Sequence, residues 1–216
     1  MRARIVVLGA LVALAVGSLG GGVAHATHRA RGGSCTIVGT PGNDTLNGHA
    51  GPDFICGKGG DDQLNGKGGD DTLVGGPGND TLNGGNGDDT LVGSDGRDFL
   101  QGGFGADKIN GNAGGDEILG GSGPDLISAG LGNDIAEGGF GNDAMYGGPG
   151  SDFLAGREGH DLIFGQKGDD SCLSAIDGIH GNDSVNGGSG HDTGDADTGD
   201  EVISLENRLQ GSCSAE

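Results

Sequence analysis

The sequence predicts an all-β solenoid in which two nonapeptide units make one coil. Three observations carry that reading. Gly supplies 54 of 216 residues, against roughly 7% in an ordinary globular domain. A nine-residue period is locked over most of the chain, and such a period signals a repeat architecture. Within each period one apolar column sits between two columns that are mostly polar, the two-residue alternation of a strand with one face inward. The same composition excludes other classes. Aromatic content is 3% with no Trp, too little for a conventional enzyme core. A net charge of −21 argues against a nucleic-acid partner, because phosphates are held by Lys and Arg. Pro numbers only 5 and Gly does not fall at every third position, so a collagen helix is excluded.

In chain order, residues 1–26 have the three parts of a secretory signal peptide. Arg2 and Arg4 form a basic start, an apolar run extends from Ile5 to about Leu19, and Ala24-His25-Ala26 gives a small-x-small cleavage pattern. The apolar run is shorter than the roughly 20 residues a membrane span requires. Cleavage after Ala26 and a secreted, extracellular location are therefore expected, with no membrane span. Loss of Arg2 and Arg4 leaves a mature net charge of −23. A lead-in follows over 27–38.

The repeats begin at Gly39-Thr40-Pro41-Gly42-Asn43-Asp44-Thr45-Leu46-Asn47 and continue in unbroken register to Leu173, giving fifteen units over 39–173. Four residues, 174–177, interrupt them. Three degenerate units follow over 178–204, and a tail over 205–216. The fourth column is Gly in all eighteen units and the sixth is Asp in seventeen, with Glu201 in the last. The eighth column is mostly Leu or Ile, from Leu46 and Ile55 to Ile118 and Ile127. A longer period of eighteen is visible in the ninth column, where Asn47, Asn65 and Asn83 alternate with Cys56, Val74 and Val92. Two units per coil explains it, with unit n stacked on unit n+2. Each unit reads as a six-residue turn and a three-residue strand. Column eight points inward and columns seven and nine outward.

Gly in the first, fourth and often second columns is expected to permit positive φ and to turn carbonyls toward a common point. Asp in the sixth column adds a carboxylate beside them. At the roughly 4.8 Å separation of neighbouring strands these oxygens form a cage that suits Ca²⁺. Mg²⁺ suits it poorly, since it demands near-octahedral geometry and keeps its water. No column carries Cys or His, which excludes a zinc or copper array.

These residues resemble the RTX family, the calcium-binding nonapeptide repeat with the pattern Gly-Gly-x-Gly-x-Asp-x-apolar-x, over residues 39–204. The resemblance implies a parallel β-roll with Ca²⁺ held between successive turns on both edges. Carried over by column, it implies metal ligation by Asp44, Asp53, Asp62, Asp71, Asp80, Asp89, Asp98, Asp107, Asp116, Asp125, Asp134, Asp143, Asp152, Asp161, Asp170, Asp183 and Asp192. Stacked n on n+2, the fifteen units offer up to about 13 bridging ions. An expanded metal-free chain that folds on binding calcium is the expectation. The sequence departs from the pattern at Ala136, Met145, Cys172 and Gly194 in the apolar column, so the stack is expected to loosen toward its C-terminal end. Ala129 and Ala196 replace Gly in the first column.

Other features carry less. Asp195, Asp197, Gly199 and Glu206 fall at EF-hand spacing, but Asp200 stands where the loop needs Gly, and a degenerate last repeat is the better reading. His49, His160, His180 and His191 occupy variable turn positions and read as exposed turn residues. No catalytic motif is present, and the non-repeat residues are too few for a catalytic domain, so no enzyme is expected. The function classes are a secreted calcium-binding structural or surface protein, a calcium-dependent adhesion or ice-binding module, and an accessory chain of an extracellular hydrolase. Leu119, Leu126, Ile135, Tyr146, Phe153, Leu162 and Phe164 make the outer positions apolar late in the stack. They can form a patch for an unidentified protein or cell-surface partner, or be buttressed by the tail. Four Cys in an exported chain favour disulfides. The span of a disulfide forbids pairing across the stack. Cys35–Cys56 and Cys172–Cys213 are expected, with an unpaired Cys172 in the inward column as the alternative to the second.

Overall fold

A computed structural model describes residues 34–175, 184–196, 201–203 and 207–208. The predicted signal peptide, Asp183, His180 and Cys213 lie outside the described residues, as does the expected Cys172–Cys213 bridge. Every described element is a strand, and every strand pair is parallel. Two ten-stranded sheets result, one from alternate strands beginning at Ile37–Val38, the other from those beginning at Thr45–Asn47. Through most of each sheet neighbours are eighteen residues apart, as in Leu64↔Leu82↔Leu100. The molecule is thus a parallel β-roll with two nonapeptide units per coil, the architecture expected from the sequence. The predicted alternation sets which side chains go inward. Ile55, Leu73, Leu82, Leu91, Leu100, Ile118 and Ile127 are fully buried along one axis, while flanking residues such as Thr72, Val74, Thr90 and Val92 are partly exposed.

Three expectations need correction. Strands span six residues rather than three over most of the stack, as in Gln63–Gly68 and Thr81–Asn86. The turns are alike from coil to coil, so their N–H and C=O groups keep pairing past the apolar column, as at Lys67↔Gly85 and Gly68↔Asn86. Short strands remain at the ends, at Phe54–Cys56 and Ser184–Asn186. Second, the stack does not loosen at Ala136 or Met145. Both are fully buried, and the register holds through Ile118↔Ala136↔Leu154 and Ile127↔Met145↔Ile163. Among the described residues the register first slips where Phe153 pairs with Ser171 but Ala155 pairs with Ser174, and it stays irregular toward the C-terminal end, as at Leu173↔Gly194 and Ser184↔Glu201. Beyond that point the spacing grows to 22 residues, as in Ile163↔Val185, the offset expected from four inserted residues. Of those four, Ser174 and Ala175 lie within strand Ser171–Ala175. Third, positive φ belongs to the second and fourth columns and not to the first; Gly85 at 110° and Gly87 at 124° are examples.

The N-terminal end is closed covalently. Cys35 and Cys56 form a disulfide with their Cα atoms 5.9 Å apart, as the stacking argument required. Ile37 and Val38 pair with Ile55 and Cys56 just beside it. On the outer faces, Leu126, Ile135 and Leu162 are exposed, and Tyr146 stacks on Phe164 at 5.1 Å between ring centroids. Phe104, Leu131 and Phe140, at the C-terminal ends of their strands, are exposed as well.

Candidate metal centre

The nine-residue period places the sixth column at the exit of each turn, and two-unit coils send successive Asp residues to opposite edges. One edge carries Asp44, Asp62, Asp80, Asp98, Asp116, Asp134, Asp152, Asp170 and Asp192, linked in that order. The other carries Asp53, Asp71, Asp89, Asp107, Asp125, Asp143 and Asp161. The link is the same throughout. The backbone N–H of each Asp donates to Oδ1 of the Asp one coil on, at 2.8 Å from Asp62 to Asp80. The carbonyl of the same residue accepts from the strand above, as when Thr81 N–H donates to Asp62 at 2.8 Å. From Asp62 and Asp71 onward an Asp in these columns is thereby fixed through its N–H, its carbonyl and its Oδ1, as Asp80 is by bonds to Asp98, Phe99 and Asp62.

The second carboxylate oxygen, Oδ2, is buried and without a hydrogen-bond partner in Asp62, Asp71, Asp80, Asp89, Asp98, Asp107, Asp116, Asp125, Asp134, Asp143, Asp152 and Asp170. An orphaned buried carboxylate oxygen is costly, and a run of them calls for a missing counter-charge. The surroundings are made of oxygen. A Cβ placed on Gly57 would collide with Oδ2 of Asp62 and with the carbonyl oxygen of Gly75 in the next coil; Gly66 stands likewise between Asp71 and Gly84. The first-column Gly therefore keeps open the point where carboxylate and carbonyl converge, rather than supplying an unusual φ. Ala129 is the exception within the fifteen units, and its methyl group is fully buried beside the same column.

Burial pushes these carboxyl groups up, an effect opposed by the N–H bond from the preceding Asp and reinforced by repulsion from neighbouring Asp residues. Asp89, Asp98, Asp125 and Asp152 are raised to about 7. Asp71, Asp80, Asp116 and Asp170 are raised to about 6. Asp62, Asp107, Asp134 and Asp143 are raised as well, chiefly by burial. Among the described residues no three His, Cys, Asp or Glu side chains converge on one point. A cation here would be held by carboxylate oxygens together with main-chain carbonyls. Such an all-oxygen donor set fits a hard divalent ion, and Ca²⁺ before Mg²⁺ because its coordination is flexible.

The sequence-predicted residues do not all stand alike. Asp161 and Asp192 are buried in the same columns. Asp44 and Asp53 differ, for their Oδ2 atoms accept hydrogen bonds from Thr40 and His49. His49, His160 and His191 are exposed turn residues as expected, and His49 also contacts Asp53 at 3.4 Å. A second ladder escaped the sequence reading. In column five, Asn43, Asp61, Asn79, Asp70, Asp88, Asn133, Asn142 and Asp169 each accept the N–H of the column-five residue one coil on. The frequent Asn and Asp in that column were the available signal. This ladder runs opposite in sense to the column-six ladder, so each coil is tied in both directions.

The sequence pattern described as RTX calcium-binding nonapeptide repeat matches residues 36–64, 57–91, 65–100, 83–118, 92–127, 111–145, 119–154, 146–174 and 176–203. No curated protein matches the chain. The matched segments cover most of the chain and coincide with the two-edged carboxylate stack, and the protein accordingly belongs to the RTX calcium-binding nonapeptide repeat family.

Proposed function

We propose that the protein is a secreted calcium-binding repeat protein that folds when Ca²⁺ fills its turns and then acts as a structural or surface-interaction element. The observation that carries this reading is the row of twelve buried carboxylate oxygens with no partner. In the proposal these twelve Asp side chains are the anionic ligands, and first-column carbonyls such as those of Gly75 and Gly84 complete each site. Asp161, Asp183 and Asp192 join them by column. Without the ion, Asp residues stacked along each edge repel one another, and the chain stays expanded. Bound calcium supplies the positive charge that lets the coils close. The basic and apolar segments at the start of the chain support export, into surroundings where calcium is millimolar and disulfides persist.

The test is circular dichroism of the chain from residue 27 onward, in chelator and then in rising Ca²⁺. Disorder should give way to β-structure with Ca²⁺, while the same concentration of Mg²⁺ does little. A chain fully folded in excess chelator overturns the reading. Export is checked separately: the protein recovered outside its cell should begin at Thr27.

A further inference from the structure

We propose that the first coil closes its two turns without metal and caps the array, so that ion sites begin at Asp62 and Asp71 and not at Asp44 and Asp53. The inference rests on the calcium reading above and departs from the family's column-by-column assignment. Its basis is a change of turn between the first coil and the later coils that the described residues cover. From Lys58 to Gln166, and again at Gly188, the described second-column residues have positive φ, with Lys58 at 91° and Gly188 at 98°. Thr40 and His49, the second-column residues of the first coil, do not. Their amides consequently point elsewhere. Lys58 N–H donates up the stack to the Gly75 carbonyl at 2.9 Å. Thr40 N–H turns instead to Oδ2 of Asp44 at 2.5 Å, and the Thr40 hydroxyl donates to the same oxygen at 2.9 Å. His49 N–H donates to Oδ2 of Asp53 at 2.6 Å, with Nδ1 of the ring 3.4 Å from that oxygen.

These are the oxygens that stand orphaned in the later coils. Here each already has a donor, and the positive end of an N–H dipole occupies the direction from which a cation would approach. Two further contacts belong to the same closure. Lys67 reaches back to the first coil and its Nζ donates to the Gly48 carbonyl at 2.9 Å. The Thr36 hydroxyl accepts from Phe54 N–H at 2.9 Å, beside the Cys35–Cys56 disulfide. A stack of identical units needs a terminal unit that satisfies its own groups. The first coil does so with protein donors in place of ions.

The experiment counts ions by equilibrium dialysis against Ca²⁺. Asp44→Asn and Asp53→Asn should bind as many ions as the unaltered chain. Asp62→Asn and Asp71→Asn should each bind one fewer. Loss of an ion in Asp44→Asn or Asp53→Asn overturns the cap and leaves the calcium reading standing. An unaltered chain that binds no calcium overturns both. A measurement on the unaltered chain guards against variants that fail to fold: with calcium bound, the amide hydrogens of Thr40 and His49 should exchange slowly with solvent. Rapid exchange at both overturns the proposal.

Discussion

Gly105 shows what a single position in this fold must do. Its φ of 133° lies where only Gly is at ease, and a Cβ there would collide with the carbonyl of Gly87 in the preceding coil. Gly105→Ala should therefore destabilise the calcium-bound chain by about 3 kcal/mol, combining backbone strain with a displaced coil. Denaturant unfolding in saturating calcium measures it, and a loss below about 1 kcal/mol would falsify the assignment of a coil-to-coil contact. The invariance of this column was plain in the sequence, and the need for an unusual φ followed from it. The contact with the neighbouring backbone was not, because it exists only once one coil lies on another. The first column was misread for the same reason: Gly57 and Gly66 are there to leave room for Asp62 and Asp71.

At the scale of an element, the carboxylate column ties stability to pH. The folded pKa of Asp89, Asp98, Asp125 and Asp152 is raised to about 7, above the roughly 3.9 of an unfolded Asp. The metal-free folded chain thus binds more protons than the unfolded one. The stabilising contribution of these groups is complete below about pH 4 and is lost as pH rises through about 7. Without calcium, the chain should hold more β-structure at about pH 4.5 than at pH 8. Calcium reverses the dependence, since protons compete for the same oxygens, and its affinity should fall as pH drops below about 7. Circular dichroism and calcium titration across this range test both. A metal-free chain that gains structure as pH rises contradicts the first. The position of Asp in the turn was legible from its period alone. Its two oxygens have different fates, one in the ladder and one in the cradle, and only stacking at eighteen residues decides which is which.

For the whole molecule, the disulfide acts where stacking is weakest. The terminal coil has one neighbour, and Cys35–Cys56 closes a loop with a sequence separation of 21. Closing a loop of that size stabilises a folded state by about 3 kcal/mol. In a quasi-one-dimensional stack that gain is passed through nearest-neighbour contacts. Cys35→Ser should therefore raise the calcium concentration needed for half-folding without changing the final β-content. An unchanged midpoint would show that the bridge does not contribute to closing the roll.

The sequence by itself determined the period, the inward column, the two-unit coil and the bridge between Cys35 and Cys56, because each follows from spacing and from the fixed geometry of a strand. It also determined the chemistry of the turns, since Gly and Asp offer oxygen and nothing softer. The tertiary structure decided what depends on contact between coils. It extended strands through the turns, kept Ala136 and Met145 in register, and turned column five into a second ladder. It also separated Asp44 and Asp53, whose carboxylates meet local donors, from the Asp residues above them. Residues alike in the repeat pattern differ in the fold because the first coil has a neighbour on one side only.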